Sequence, residues 1–169
     1  AATSNYFIGY NSISFDGPFL RQAFYQNLMP EIYMPVTSGN TQMDVFDIAK
    51  LVSVFHPEHI RVNKDEKGYA ILKLESLAEA NDLKIQYDAG PHDAVYDALI
   101  TLELAKMLSI RCPKIFEASL EFRKRDTPKK FMLENNVFTN LTFFFVFKFK
   151  YPNLLKKSRK TIKFIDKVL

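Results

Sequence analysis

The sequence predicts an α/β chain that is mostly helical, with a β-rich segment beginning near its C-terminus. Residues 6–8 form an apolar run typical of a strand, and a turn and a helix are predicted directly after it. Residues 94–108 carry apolar side chains nearly all round a helix, which is typical of a buried helix. Residues 143–150 end in alternating Phe and Lys, as in a strand with one exposed face.

The other elements follow from periodicity and from residues that end helices. A strand near 5–10 precedes a helix near 17–28, and a loop rich in Pro, Gly and Thr follows over 29–42. Apolar residues at helical spacing predict the next helix near 43–55, and His56-Pro57 ends it. We further predict a turn over residues 65–68 and a short helix over residues 74–82. Another helix is predicted to begin at Pro113.

His56 and His59 are predicted to lie on a surface loop. We find no metal ligand at a familiar spacing from either of them. We therefore assign them no chemistry from the sequence.

Asp97 is the first candidate for a functional side chain. It lies within the apolar helix, where a carboxylate is costly to bury unless a cation or a hydrogen-bond donor meets it. His92 lies five residues earlier and can face Asp97 only from the turn that leads into the helix. The alternative is that Asp97 is a hydrogen-bonded helix residue and His92 an exposed residue of the first turn.

Asp16 is the second candidate, because it lies where the predicted strand and turn lead into a helix. Asp16 precedes Gly17-Pro18 and is also typical of an ordinary helix N-cap. Asn11 is equally consistent with a turn residue. These alternatives stay open when each motif is taken alone.

Together, Asn11-x-x-x-Phe15-Asp16 and the later His92-x-x-x-x-Asp97 resemble the second and third motifs of the DEDD-type 3′→5′ exonucleases, in the subgroup with histidine in its last motif. The similarity is greatest to the bacterial exodeoxyribonuclease I branch and covers roughly residues 5–120. It extends over the motifs Gly9-Tyr10-Asn11, Met43-Asp44-Val45-Phe46-Asp47 and Leu74-Glu75-Ser76-Leu77-Ala78-Glu79-Ala80-Asn81.

The resemblance implies a ribonuclease H-like fold and removal of nucleotides from the 3′ end of single-stranded DNA. Two Mg²⁺ or Mn²⁺ ions would support the reaction in the complete site. By the same resemblance Asp16 and Asp97 are metal ligands and His92 deprotonates the attacking water. Tyr10, Asn11 and Phe15 are assigned to substrate binding. These roles suit the chemistry, since Mg²⁺ prefers carboxylate oxygens and neutral histidine is a base near pH 7.

One departure from the family concerns its first motif, Asp-x-Glu, which supplies the other two carboxylates. No aspartate of this chain is followed two positions later by glutamate, and the sequence begins at Ala1 without methionine. We therefore expect an N-terminally truncated fragment that binds magnesium weakly and has little or no activity alone. The alternatives are a proofreading or RNA-trimming relative of the same fold, and a non-catalytic nucleic-acid-binding remnant.

The charge is distributed unevenly along the chain. Residues 1–120 hold ten Lys and Arg against fifteen Asp and Glu, whereas residues 121–169 hold thirteen against four. The acidic part suits a metal-binding core and the basic part suits contact with phosphates. We predict a partial exonuclease domain over 1–112, a helical connection over 113–136, and over 137–169 either the truncated start of an SH3-like domain or a basic tail.

Composition limits the setting in which the protein works. A single cysteine, Cys112, excludes an internal disulfide and suits the reducing cytoplasm. The longest aromatic run, residues 143–147, is far shorter than a membrane span of about 20 residues. We expect single-stranded DNA as the partner, no membrane association, and a monomer for the full-length protein.

Overall fold

The computed structural model describes residues 5–30, 39–87 and 93–122 of the chain. Within these residues, two strands and five α-helices follow one another in the order β1 (Tyr6–Gly9), α1 (Asp16–Gln26), β2 (Thr41–Asp44), α2 (Val45–Phe55), α3 (Leu74–Ala80), α4 (Ala94–Arg111) and α5 (Pro113–Phe122). A 3-10 helix, Pro57–His59, follows α2. The predicted α/β, mostly helical architecture is confirmed for these residues. The predicted β-rich or basic C-terminal segment, residues 137–169, lies outside them.

The two strands form a small parallel sheet. Tyr6 lies opposite Thr41, and the pairing runs in register to Gly9 opposite Asp44. Because the strands are parallel, both carboxyl ends lie at the same edge, where the chain enters the turn before α1 and the start of α2. The functional residues predicted from the sequence begin at this edge.

The sequence-based prediction missed β2, and it is wrong in placing a loop over all of 29–42. Thr41–Asp44 has the sequence Thr-Gln-Met-Asp, so it lacks the apolar run from which the equally short β1 was predicted. Its two last residues are buried, and among the described residues β1 is the one strand that pairs with it. The strand is therefore fixed by a tertiary contact rather than by its own side chains.

The hydrophobic core lies between β2, α2 and α4, with α3 and α5 closing its sides. The buried face of α2 recurs at positions i, i+3, i+4 and i+7, as an amphipathic helix requires, and α4 contributes a second stripe. The core residues with almost no exposed surface are Met43, Val45, Ile48, Ala49, Val52, Ile60, Leu77, Leu104, Ala105, Leu108 and Ile115.

The predicted all-round burial of α4 is wrong for the described part of the chain. Ile100, Leu104 and Leu108 are fully buried along one face, whereas Leu102 and Ile110 are exposed. The helix packs against α2, α3 and α5 through the face that carries Ile100, Leu104 and Leu108. Its apolar composition indicated burial but not on which side.

α1 differs from the other α-helices because none of its side chains is buried. Its first turn is tied to the preceding loop by a hydrogen bond from the Gly17 N–H to the Ser12 carbonyl, at 2.7 Å. Phe19 and Tyr25 are each 66% exposed. Within the described residues, the position of α1 is therefore set by its N-terminal turn.

The carboxylate of Asp44 connects three segments of the fold. It is 2% exposed and accepts backbone N–H groups from Asn11 at 2.7 Å, Ile13 at 3.0 Å and Phe46 at 3.1 Å. The last of these caps the N-terminus of α2, while the first two hold the turn after β1. Asp44 therefore fixes the turn that leads to α1.

None of the described helices is long and apolar enough to cross a membrane.

Gly9 is a position where the side chain of Ser12 leaves no room for a Cβ atom. A Cβ added there would lie 2.3 Å from Ser12 Oγ and 2.4 Å from Ser12 Cβ. We predict that Gly9→Ala lowers the free energy of unfolding by about 1–3 kcal/mol, measured by urea denaturation. Adding Ser12→Gly removes both clashing atoms, so the double variant should recover most of the loss. Additive losses in the double variant would contradict the steric explanation.

Replacing Asp44 with Ala leaves three backbone donors without their acceptor. We expect the free energy of unfolding to fall by about 2–4 kcal/mol, measured by urea denaturation. Asp65→Ala is the matched control, since Asp65 also accepts two backbone N–H groups, from Lys67 and Tyr69, but is exposed. It should cost no more than about 1 kcal/mol. Equal losses in the two variants would show that burial of Asp44 has no energetic role.

Candidate functional site at the carboxyl end of the first strand

A cleft of about 1000 Å³ opens at the carboxyl end of β1. The strand end and the turn after it form one wall, and the segment entering α3 forms another. The first two turns of α4 complete the lining through Ala94, Asp97, Ala98 and Thr101. In open α/β sheets, ligands bind outside the carboxyl ends of the strands, which makes this cleft the candidate site.

Asp16 and Asp97 line this cleft together. Asp16 is the first residue of α1, and the turn before it is closed by the Phe15 N–H donating to the Asn11 carbonyl at 3.1 Å. Phe15 occupies the N-cap position, so the alternative that Asp16 caps α1 is wrong. The fold thus brings together two carboxylates that are distant in sequence.

Asp97 is held by a well-capped helix start. The carboxylate of Asp93 accepts the Val95 and Tyr96 N–H groups at 3.0 and 3.1 Å. The Asp97 N–H in turn donates to the Asp93 carbonyl at 2.9 Å. Because Asp93 performs the capping, the carboxylate of Asp97 is left for another role.

In residues 5–30, 39–87 and 93–122, no hydrogen bond or ion pair engages the side-chain oxygens of Asp16 or Asp97. Asp16 is exposed and Asp97 is half-buried. Carboxylate oxygens in such a setting are suitable ligands for a hard divalent cation such as Mg²⁺.

Two charged residues that the site prediction had not included also line the cleft. Lys73 and Glu75 lie at the entry to α3. Glu75 is half-buried, and Lys73 is exposed. Neither lies in a motif with a recognisable metal or phosphate spacing, so only the fold places them beside Asp16 and Asp97.

The three residues assigned to substrate binding occupy different environments. Tyr10 and Asn11 line the cleft, whereas the ring of Phe15 packs on Phe19, with ring centres 5.1 Å apart. Asn11 adopts a φ of 56°, which supports the alternative that it is a turn residue, and its assignment to substrate binding stays a prediction. His92 lies outside the described residues, immediately before Asp93.

The hydroxyl of Tyr10 has a partner within the fold. It donates to the Leu72 carbonyl, and the ring packs against Phe46 with ring centres 5.2 Å apart. Burial, followed by the nearby charges of Asp44 and Glu75, raises the pKa of Tyr10 well above its ordinary value. Tyr10 therefore joins the β1 end to the α3 entry and shapes the cleft wall.

Tyr10→Phe tests this structural role. Because the folded state raises the pKa of Tyr10, its contribution to stability is complete below about pH 10 and is lost as the pH rises further. The variant should lose about 1 kcal/mol of unfolding free energy at pH 7, measured by urea denaturation. It should also show a shallower decline in stability above pH 10 than the unmodified chain. Parallel declines in the two proteins would contradict the assignment.

Comparison with known proteins places this arrangement in one family. The sequence profile of the exonuclease family (RNase_T) matches residues 1–105. Exodeoxyribonuclease I of Buchnera aphidicola subsp. Schizaphis graminum is 32% identical over 119 residues, covering 70% of this chain and 24% of the relative. The chain therefore spans about a quarter of the length of the curated relatives it matches.

Solved structures confirm the predicted exonuclease fold. Escherichia coli Exonuclease I in complex with a 5cy-dT13 oligonucleotide has a TM-score of 0.60 and 28% identity, covering 67% of this chain and 23% of that one. A moderately thermophilic Exonuclease I from Methylocaldum szegediense has a TM-score of 0.55 and 33% identity, covering 64% and 22%. On the match over residues 1–105, the chain belongs to the exonuclease family.

Proposed function

We propose that this chain forms part of a metal-dependent 3′→5′ exodeoxyribonuclease acting on single-stranded DNA. The observation that carries the proposal is the shared cleft of Asp16 and Asp97, which come from the first turns of α1 and α4. These are the two carboxylates that the resemblance to DEDD-type exonucleases assigns to metal binding. The E. coli structure with a bound oligonucleotide supports DNA as the substrate.

Asp16 and Asp97 are the residues that would hold Mg²⁺ or Mn²⁺. Their oxygens suit these hard cations, and the open cleft leaves space for water and phosphate as further ligands. When bound, a pair of such ions stabilises the entering and leaving oxygens of phosphodiester hydrolysis. Glu75 adds a third carboxylate to the cleft.

His92 is proposed as the general base that takes a proton from the attacking water. It directly precedes Asp93, the residue that caps α4. In the sequence it therefore lies next to the helix that carries Asp97. A histidine with an unperturbed pKa of about 6.5 is largely neutral and able to accept this proton near pH 7.

Lys73 is proposed to contact the DNA backbone. It is an exposed cation at the wall of the cleft that also holds the two aspartates. A lysine there attracts phosphate toward the metal ligands. We further propose a cytoplasmic, monomeric full-length enzyme, in keeping with the single free and buried Cys112.

A second candidate is a nucleic-acid-binding role without catalysis. Two features of the sequence favour it: the thirteen Lys and Arg of residues 121–169, and the lack of any aspartate followed two positions later by glutamate. In that case binding would depend on phosphate contacts and weaken steeply with salt.

The first test measures Mn²⁺ binding to the chain by electron paramagnetic resonance. Asp16→Asn and Asp97→Asn should each weaken binding by at least about tenfold, because each removes a metal ligand. Glu103→Gln is the matched control: it lies on the same helix as Asp97, pairs with Lys106, and is not part of the cleft. Equal Mn²⁺ affinity in all four proteins would refute the metal site.

The second test follows a single-stranded oligonucleotide labelled at its 5′ end. Shortening from the 3′ end that requires Mg²⁺ or Mn²⁺ and is lost in Asp97→Asn supports the exonuclease. Because the Asp-x-Glu motif is missing, we expect the rate to be far below that of E. coli Exonuclease I assayed in parallel. Salt-sensitive DNA binding without cleavage under any metal favours the second candidate, and cleavage of an RNA oligonucleotide in preference to DNA favours an RNA-trimming relative.

A further inference from the structure

A second group of metal-ligating side chains lies at the opposite end of α2 from Asp44. His56 Nδ1 is 3.1 Å from Glu58 Oε1, and His59 Nε2 is 3.5 Å from the same oxygen. One ligand atom from each of the three residues lies within 4.8 Å of the others. The prediction that these histidines have no ligand at metal-binding spacing is therefore wrong, because the 3-10 helix folds Glu58 between them.

The backbone of this cluster is fixed before any ligand binds. The His56 N–H donates to the Val52 carbonyl at 2.8 Å and ends α2, and the His59 N–H donates to the His56 carbonyl at 2.9 Å. Arg111 of α4 donates from Nη1 to the His59 carbonyl at 3.2 Å. Such preorganisation reduces the entropy lost when side chains converge on an ion.

The cluster is also accessible to an ion from solution. The side chains of His56, His59 and Glu58 are 33%, 42% and 59% exposed. A pocket of about 210 Å³ adjoins the two histidines and extends toward the start of α5. It shares no lining residue with the cleft that holds Asp16 and Asp97.

We propose that His56, Glu58 and His59 bind a transition-metal ion of the Zn²⁺ class. Two imidazoles and one carboxylate are a ligand set that zinc uses, with a fourth position left for water. Zinc ligands at about 2 Å in a tetrahedron lie about 3.3 Å from one another, and the distances from Glu58 Oε1 to His56 Nδ1 and to His59 Nε2, 3.1 and 3.5 Å, fall on either side of that value.

The donor atoms distinguish this site from the cleft. Imidazole nitrogens favour zinc and related ions, whereas the oxygen ligands of Asp16 and Asp97 favour magnesium. Arg111 and Lys114 line the same pocket and oppose a dication, so the affinity should be lower than in a closed structural zinc site.

A metal at this site would connect the end of α2 to the 3-10 helix. Binding to the folded state alone raises stability according to the free metal concentration relative to its dissociation constant. The role inferred is therefore structural, and it does not depend on the proposed nuclease function.

The test uses Co²⁺ as a spectroscopic substitute for Zn²⁺ in the full chain. We expect intense visible absorption from tetrahedral Co²⁺, which added Zn²⁺ displaces and added Mg²⁺ does not. His56→Ala and His59→Ala should each weaken binding at least about tenfold. His92→Ala is the matched control, because it removes the third histidine of the chain and keeps His56, Glu58 and His59 in the sequence.

Glu58→Gln keeps the test decisive if a histidine variant fails to fold. The side chain is exposed, so this change should leave the fold intact while lowering Zn²⁺ affinity at least about tenfold. Zn²⁺ should raise the melting temperature of the unmodified chain and of His92→Ala, but raise it less in Glu58→Gln. A Co²⁺ spectrum that survives in Glu58→Gln and His59→Ala but disappears in His92→Ala would overturn the proposal, as would failure to bind Co²⁺ at all.

Discussion

The carboxylate of Asp44 connects the end of the sheet to the parts of the fold that build the cleft. Its oxygens accept N–H groups from Asn11, Ile13 and Phe46, so one buried side chain sets the turn after β1 and the start of α2. Burial raises the pKa of Asp44, while the three donors act in the opposite direction. A carboxylate can remain in this position only if all three donors keep their geometry.

The position of the candidate metal ligands follows from that constraint. The turn held by Asp44 leads directly into α1, whose side chains are not buried and whose first residue is Asp16. The position of Asp97 is set by a different interaction, the cap that Asp93 forms at the start of α4. In both places one aspartate accepts backbone N–H groups, and a different aspartate nearby in the fold faces the cleft. The division leaves the cleft carboxylates available for a ligand.

The sequence supported much of this architecture because several elements carry their own signals. The amphipathic pattern of α2, Pro113 at the start of α5 and the φ of Asn11 all agree with what local rules predict. β2 was missed because a strand of four residues acquires its identity from pairing with β1. The exposed side of α4 was missed because apolar residues lie at nearly every position, so the sequence does not distinguish the buried face from the exposed one.

The candidate site shows the same limit. Asp16 and Asp97 could be proposed from motif spacing, but Lys73 and Glu75 join them only through the packing of α3 near the strand end. The cluster at His56 depends on a single 3-10 turn, which brings a carboxylate between two imidazoles at a spacing unlike familiar metal motifs. Contacts that depend on one short turn or on one tertiary pairing are hard to predict from the order of residues in the sequence.

The buried position of Asp44 also affects how a systematic mutational scan of this protein would be interpreted. If the protein degrades DNA as proposed, a screen that records only DNA degradation would rank Asp44 with Asp16 and Asp97, since loss of folded protein and loss of a proposed metal ligand would both abolish the signal. Counting folded molecules in the same cells would separate them: Asp44 variants would be depleted in abundance, and Asp97 variants would persist as inactive protein. Three aspartates with the same apparent importance would then divide into one that maintains the fold and two that remain available for metal binding.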